Sequence, residues 1–212
     1  MIVIFDYDGT LANTEESYYH CMRSALKKYA NNVEFEKIIH ENYGLPGLST
    51  MSDLGITKGE QEVLTKKIVD FMRSDKYKSD LFIGIHDSLK KLASRNVLAL
   101  ATSRSNQELQ LDQSFSSIKE YFSVIVTSDA IEHSKPYPDS LELVLRLTNE
   151  IKSRAYYIGD TTVDAQCANA ANIRFVLAGW NNYAKQRFQQ YSGNINYCAK
   201  SPEDLVKFVN GK

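Results

Sequence analysis

The sequence predicts an α/β protein: a doubly wound parallel sheet with a small helical unit inserted after its first strand. Three observations carry this. Short apolar runs rich in β-branched side chains, with no polar alternation, recur at Ile2–Phe5, Val97–Ala101, Val124–Val126, 155–158 and 173–177. Strands buried on both faces of a parallel sheet read this way. Helical segments separate most of these runs, the βαβ pattern that builds such sheets. From Asn31 to about Asp80, by contrast, no strand signal occurs, and residues 34–39 and 61–72 have amphipathic helical spacing.

The first ten residues set the frame. An apolar run from Met1 to Phe5 meets Asp6 and Asp8, two apart, and then Gly9, which stops the strand. Carboxylates at the carboxyl end of a strand stand where open α/β sheets place ligands. In the turn that Gly9 permits, both reach one small volume, where they repel unless a cation or a shared proton offsets them. Mg²⁺, a hard cation that takes oxygen ligands and keeps several waters, suits such a pair. The plain alternative is a solvated Asp-x-Asp-Gly turn.

Beyond Thr10, Asn13 or Thr14 can cap a helix whose first turn holds Glu15 and Glu16. Tyr18, Met22, Ala25, Leu26 and Tyr29 carry that helix at helical spacing to about Ala30. Residues 42–48, Asn-Tyr-Gly-Leu-Pro-Gly-Leu, form a loop between the helices that follow. Tyr43 and its neighbours there either reach a ligand or only turn the chain. His20 reads as a surface or partly buried side chain rather than a reacting one. The core resumes near residues 81–84 and a helix covers 87–95. The strand Val97–Ala101 then stops at Thr102-Ser103-Arg104-Ser105-Asn106. Small hydroxyls before a helix can bind an anion, or simply cap the helix.

After Val124–Val126 comes Ser134-Lys135-Pro136-Tyr137-Pro138-Asp139. Its prolines stiffen the segment beside Lys135 and exclude helix until Pro138. The strand at 155–158 ends in Gly159-Asp160-Thr161-Thr162-Val163-Asp164, which sets two acids four apart. The next helix, 163–171, is alanine-rich for close packing on a sheet, and Asn172 suits a left-handed end. Residues 196–198 can add a short edge strand, and Ser201 with Pro202 opens a final helix.

Composition bounds the function. With 212 residues, 43% of them hydrophobic, the chain can fill one ample core plus a small accessory unit. Charges nearly cancel, 25 basic against 26 acidic, and the basic pairs are scattered, so no nucleic-acid footprint is expected. Three cysteines, Cys21, Cys167 and Cys198, lack metal-ligand spacing and read as reduced thiols of a cytoplasmic protein. The N-terminal run has no basic flank and is broken by Asp6, so no signal peptide is expected, and no apolar run is long enough to span a bilayer.

Four pieces stand in order at the ends of apolar runs: Asp6-Tyr7-Asp8-Gly9-Thr10, Thr102-Ser103, Lys135-Pro136-Tyr137-Pro138, and Gly159-Asp160 with Asp164. Together they resemble the four motifs of the haloacid-dehalogenase (HAD) superfamily, and the chain looks most like its phosphoglycolate-phosphatase-like branch. The resemblance covers nearly the whole chain, more weakly through residues 14–80. It implies a Rossmann-like core of residues 1–13 and 81–212, with a helical cap of residues 14–80 that closes over the site.

The resemblance also implies an Mg²⁺-dependent phosphatase that cleaves a small phosphomonoester through an aspartyl-phosphate on Asp6. Asp8 would serve as acid and base. Asp6, a backbone carbonyl near Asp8, and Asp160 would hold Mg²⁺. Thr102 and Lys135 would hold the phosphoryl group, with Gly9 and Ser103 beside it, and Asp164 would orient Lys135 or the metal's waters. Tyr43 and Leu45 of the cap loop would touch the substrate. The family usually has glycine where Asn172 stands, a departure that changes little because both tolerate the left-handed conformation.

The implied partner is a small phosphorylated metabolite: phosphoglycolate, a sugar phosphate, a nucleotide or pyrophosphate. A monomer or homodimer is expected, with no nucleic-acid or membrane partner. A dehalogenase on this core would need Asp6 without Asp8. A phosphosugar mutase would differ mainly in the cap, and a non-catalytic binding module would lack one of the positions that are filled here.

Overall fold

The computed structural model describes residues 1–74 and 76–211. In chain order the strands are β1 (Ile2–Phe5), β2 (Ala12–Asn13), β3 (Asp80–Leu81), β4 (Val97–Ala101), β5 (Val124–Val126), β6 (Ala155–Gly159), β7 (Arg174–Ala178) and β8 (Tyr197–Ala199). The helices before the second core strand are α1 (Glu15–Ala25), α2 (Phe35–Glu41), α3 (Gly47–Asp53), α4 (Lys58–Met72) and α5 (Ile85–Ala93). Those after it are α6 (Asn106–Gln110), α7 (Gln113–Ser116), α8 (Asp139–Thr148), α9 (Thr162–Ala171), α10 (Asn182–Arg187) and α11 (Pro202–Asn210).

Six strands form one parallel sheet in the order β5-β4-β1-β6-β7-β8. Successive side chains of β1 point to opposite faces. Val3 and Phe5 pack with Leu89 and Leu92 of α5 and Leu205 of α11, while Ile2 and Ile4 pack with Leu141 and Val144 of α8 and Ala165 and Ala168 of α9. Both faces are covered, so β1 needs no polar residue, and its apolar run is the direct consequence. The alanines of α9 let that helix lie close to the sheet.

Strand order fixes the site. From β1 the chain crosses to β4 and β5 on one side, then returns to build β6, β7 and β8 on the other. This reversal opens a crevice beside β1 at the carboxyl ends of the strands. Asp6 follows β1, Thr102 follows β4 and Asp160 follows β6, so all three reach it.

Helices α1–α4 gather around an apolar cluster of their own that includes Met22, Leu26, Ile39, Met51, Leu64 and Ile68. The chain leaves and re-enters the sheet region side by side, through the antiparallel pair of β2 and β3 with Ala12 opposite Leu81 and Asn13 opposite Asp80. No described helix is long and apolar enough to cross a membrane.

Several boundaries differ from the sequence reading. The first cap helix ends at Ala25 and gives way to a 3₁₀ turn at Lys27–Tyr29. Helix α3 occupies part of the expected 42–48 loop and extends beyond it. Its Gly-Leu-Ser-Thr-Met-Ser-Asp sequence has weak helical propensity, and burial of Thr50 and Met51 against the cap supplies what propensity does not. Ser201 does cap the last helix, its hydroxyl accepting from the Asp204 amide at 3.1 Å.

Asn172 ends α9 with φ 56° and ψ 42°, the left-handed conformation expected of it. Asn172→Ala is expected to destabilise the chain by about 1 kcal/mol, because a Cβ-bearing side chain without local hydrogen bonding is disfavoured there. Asn172→Gly should be neutral or slightly stabilising. Urea unfolding of both variants checks this; an unchanged midpoint for Asn172→Ala would contradict it.

Candidate active site

Lys135 sits at the centre of the crevice and is 4% exposed. Its Nζ donates to Asp6 Oδ1 at 2.7 Å and to Asp164 Oδ1 at 2.8 Å. Asp164 also accepts from Tyr157 Oη at 2.9 Å, Thr161 Oγ1 at 2.6 Å and the Thr161 amide at 3.1 Å, so both its oxygens are engaged. Burial works against the Asp164 carboxylate, yet Lys135 and the Thr161 donors hold its carboxyl below the usual range. Lys135 responds in kind: burial favours losing the proton, but the two facing carboxylates keep it above the ordinary lysine range.

Asp6 shares the same lysine at a nearly equal distance and shifts the other way. Burial pushes its carboxyl from 3.8 up to about 7, against the pull of Lys135 and with help from Asp164 and Asp8. The difference lies in the other donors. Asp164 has three further hydrogen bonds, whereas Asp6 Oδ2 has none among the described residues. One ammonium cannot satisfy both acids.

Asp160 is fully buried beside them. Its Oδ1 accepts weakly from Thr10 Oγ1 at 3.3 Å, and its Oδ2 accepts from Asn181 Nδ2 and Arg187 Nη1, each at 3.0 Å. Burial, then the neighbouring Asp164, raises its carboxyl well above the usual range, with Arg187 opposing. Gly9 makes this packing feasible: it has φ 73°, and a Cβ there would lie 2.3 Å from Asp160 Oδ2. The loop after β7 pins the loop after β1, since Asn181 Nδ2 donates to Gly9 O at 2.9 Å and Trp180 Nε1 to Thr10 O at 3.0 Å. Arg187 also pairs with Glu15 of α1 and lies 4.5 Å from the centroid of the Tyr43 ring.

The Asp8 carboxylate is turned elsewhere. Arg104 grips it with Nε to Oδ2 at 2.9 Å and Nη2 to Oδ1 at 2.6 Å, and Thr14 Oγ1 donates to Oδ1 at 2.6 Å. Thr14 therefore makes no side-chain cap on α1, contrary to the sequence reading. Arg104 Nη1 reaches Asp112 Oδ2 at 2.7 Å, and Nη2 also contacts Tyr77 Oη. Thr102 is buried, with its Oγ1 accepting from the Arg104 amide at 3.2 Å.

The helical segment touches the core at two of the expected positions. Ser103 Oγ donates to Gly44 O at 2.7 Å, and a Cβ at Gly44 would lie 2.9 Å from Thr161 Cγ2. Tyr43 is buried against Tyr18 and Tyr19, and its hydroxyl has no hydrogen-bond partner among the described residues. Leu45 lines a cavity of about 80 Å³ together with Asp6, Asp8, Tyr77, Ser103 and Arg104. His20 stays exposed, its ring edge against Phe71.

Asp6, Asp160 and Asp164 each offer a carboxylate oxygen within 4.8 Å of the others. This all-oxygen, under-neutralised donor set suits a hard divalent cation. The least engaged oxygens are Asp6 Oδ2 and Asp160 Oδ1. Asp164, fully occupied, is better placed to hold Lys135 than to ligate.

Residues 3–178 match the family model of the haloacid dehalogenase-like hydrolases. The chain belongs to this family. Among HAD relatives it is 24% identical to "Pyrophosphatase PpaX" of Oceanobacillus iheyensis, over 98% of this chain and 95% of that one. The crystal structure of a "putative phosphoglycolate phosphatase" from Lactobacillus plantarum superposes with a TM-score of 0.82 at 26% identity, covering 97% of each chain. A hydrolase from Pseudomonas syringae shares the HAD fold at TM-score 0.81, with 20% identity over 100% of this chain and 98% of that one.

Sequence reasoning missed Arg104, Asn181 and Arg187. Arg104 was legible in part, standing two residues beyond Thr102 at a strand's carboxyl end. Arg187 carries no local signal, because its partners lie 27 and 172 residues away.

Asp6 gives the metal-free HAD core a pH-dependent weakness. The folded chain keeps this proton up to about pH 7, whereas the reference carboxyl loses it near 3.8. The stability that Asp6 contributes is therefore full below about pH 4 and declines as the pH rises to about 7. The span corresponds to at most about 4 kcal/mol, at about 1.4 kcal/mol per pH unit. In excess chelator, Asp6→Asn should match the unaltered protein near pH 4 and be the more stable near pH 8. Denaturant unfolding at both pH values checks this, and a variant less stable at pH 8 would refute it.

Proposed function

We propose that this HAD hydrolase is an Mg²⁺-dependent phosphatase that cleaves a small phosphomonoester, with Asp6 as nucleophile. One observation carries the reading. Of the clustered carboxylates Asp6, Asp160 and Asp164, only Asp6 lines the cavity, and its Oδ2 accepts no hydrogen bond among the described residues. An unengaged carboxylate oxygen lining a cavity, next to a fixed ammonium, suits attack on phosphorus. Asp6 Oδ2 forms the new P–O bond while the ester P–O bond breaks, and the aspartyl-phosphate divides one hard step into two.

The surrounding residues divide the remaining work. Lys135 offsets the charge of the phosphoryl oxygens, and Asp164, with Tyr157 and Thr161 behind it, keeps the ammonium in place. Thr102 and the amides that follow β4 hold the phosphoryl group. Asp8 leaves the Arg104 fork, takes up a proton from solvent and gives it to the departing alkoxide, then takes one from the water that attacks the aspartyl-phosphate. Asp6, the Asp8 backbone carbonyl and Asp160 would hold Mg²⁺, which when bound neutralises the phosphoryl oxygens as a Lewis acid.

Residues 14–80 act as a lid that hinges at the β2 and β3 pair, with Ser103 to Gly44 as one closing contact. Closure excludes water that would compete for the phosphoryl group. In this reading the protein is a cytoplasmic monomer or homodimer acting on a small phosphorylated metabolite.

With acetyl phosphate, a donor that needs little acid assistance, Asp8→Asn is expected to accumulate one phosphoryl group on the peptide containing Asp6. Each lost proton transfer should slow its step by about 10²–10⁴-fold. Asp6→Asn should form no phosphoenzyme. Both are read by peptide mass, and phosphate found on a serine or threonine would sink the mechanism. Chelator should abolish turnover and Mg²⁺ restore it; full activity in excess chelator would remove the metal from the scheme.

A further inference from the structure

The wall of the cavity that faces Asp6 has a composition that bears on the substrate. The helical cap supplies Cys21 and Met22 from α1, Leu45 from the loop before α3, and Ile68 and Met72 from α4. These side chains are apolar or only weakly polar, and Tyr18, Tyr43 and Tyr77, which also line the cavity, add hydroxyls but no charge. The one cation lining the cavity, among the described residues, is Arg104.

Arg104 is not free to receive an anion. Four of its N–H groups are committed to Asp8, Asp112 and Tyr77. Two carboxylates face its single charge, and when Asp8 turns away to act as an acid, Asp112 still neutralises it, with a side chain 0% exposed. Glu108, which also lines the cavity, adds a further carboxylate. Lys135 and a bound metal serve the transferred phosphoryl group and Asp6, not the group that departs.

Resting on the phosphatase reading above, we propose that the leaving group this site accepts is an uncharged and largely apolar alcohol. Leaving groups that bear a second anion are rejected: a carboxylate, as in phosphoglycolate, or a second phosphoryl group, as in pyrophosphate. A second anion placed here would lose its hydration against apolar carbon and find no unpaired cation, while Glu108 and the Asp8–Arg104–Asp112 cluster carry net negative charge. An alkyl group instead gains burial against Met22, Ile68 and Met72. The chain would thus differ in substrate class from relatives named as pyrophosphatases.

The test compares kcat/KM for propyl phosphate, phosphoglycolate and pyrophosphate at fixed pH and Mg²⁺, in the unaltered protein and in Met72→Lys and Leu45→Lys. Both positions are only partly buried, so an added ammonium can be hydrated at the wall. The unaltered protein is expected to favour propyl phosphate over phosphoglycolate by about tenfold or more, the scale on which one apolar contact discriminates. Each lysine variant is expected to move that ratio toward phosphoglycolate by about tenfold. The ratio of ratios cancels the intrinsic reactivity of each ester.

Phosphoglycolate or pyrophosphate turned over at least as efficiently as propyl phosphate by the unaltered protein would overturn the proposal. So would a ratio unmoved in both variants while they remain folded and active. Release of phosphate from none of the three, with no phosphorylation of Asp6 by acetyl phosphate, would instead overturn the phosphatase reading on which it rests.

Discussion

Lys135 is the interaction on which the rest of this molecule depends. It bridges Asp6, at the end of β1, and Asp164, in the first turn of α9, with all three side chains nearly excluded from water. A cation buried between two carboxylates is costly to desolvate and costly to break. It therefore ties the loop after β5 to the ends of β1 and β6, and it does so at the reversal of the sheet where the crevice opens. The bridge is also incomplete by charge. Asp160 lies within the same cluster, and one ammonium cannot balance three buried acids even with Arg187 close by. Burial raises the Asp6 carboxyl first, the neighbouring acids add to it, and the same charge deficit suits a second cation.

Two arginines extend this network outward, and each joins the core to the helical cap. Arg187 bridges Asp160 and Glu15 of α1, and Arg104 bridges Asp8, Asp112 and Tyr77. The neighbouring contact from Ser103 to Gly44 O is a single hydrogen bond. Buried atoms at the seam, Glu15 Oε2 and Tyr43 Oη, have no partner among the described residues. A seam of specific polar contacts with some groups unsatisfied opens more readily than a continuous apolar interface, which fits the lid role proposed for the helical cap. Under the proposed mechanism this would couple chemistry to closure, because Asp8 is held through both Arg104, after β4, and Thr14, just before α1.

The same network defines what the cavity offers. Charge gathers on the Asp6 side and carbon on the cap side, with Arg104 absorbed into ion pairs between them. The cap thus contributes shape and apolar surface and almost no unspent charge.

The sequence by itself determined the sheet and the ends of its strands. β1, β4 and β6 were legible because burial on both faces leaves the run apolar, and Asp6, Thr102 and Asp160 stand where those runs stop; the edge strand β5 was legible from its apolar run alone, and Lys135, well past the end of β5, stood out only through the family resemblance. Asn172 and Ser201 were readable because the helix ends they close impose a local geometry. Tertiary structure alone decided the rest. Helix α3 forms by burying Met51 rather than by propensity, and Thr14 gives its hydroxyl to Asp8 instead of to α1. Asn181 and Arg187 find Asp160 across 21 and 27 residues, and Arg104 finds Asp8 across 96. Local periodicity and capping act within a few residues of chain, whereas a buried charge is matched by whatever partner the fold brings within about 3 Å, and nothing in the neighbouring sequence records that distance.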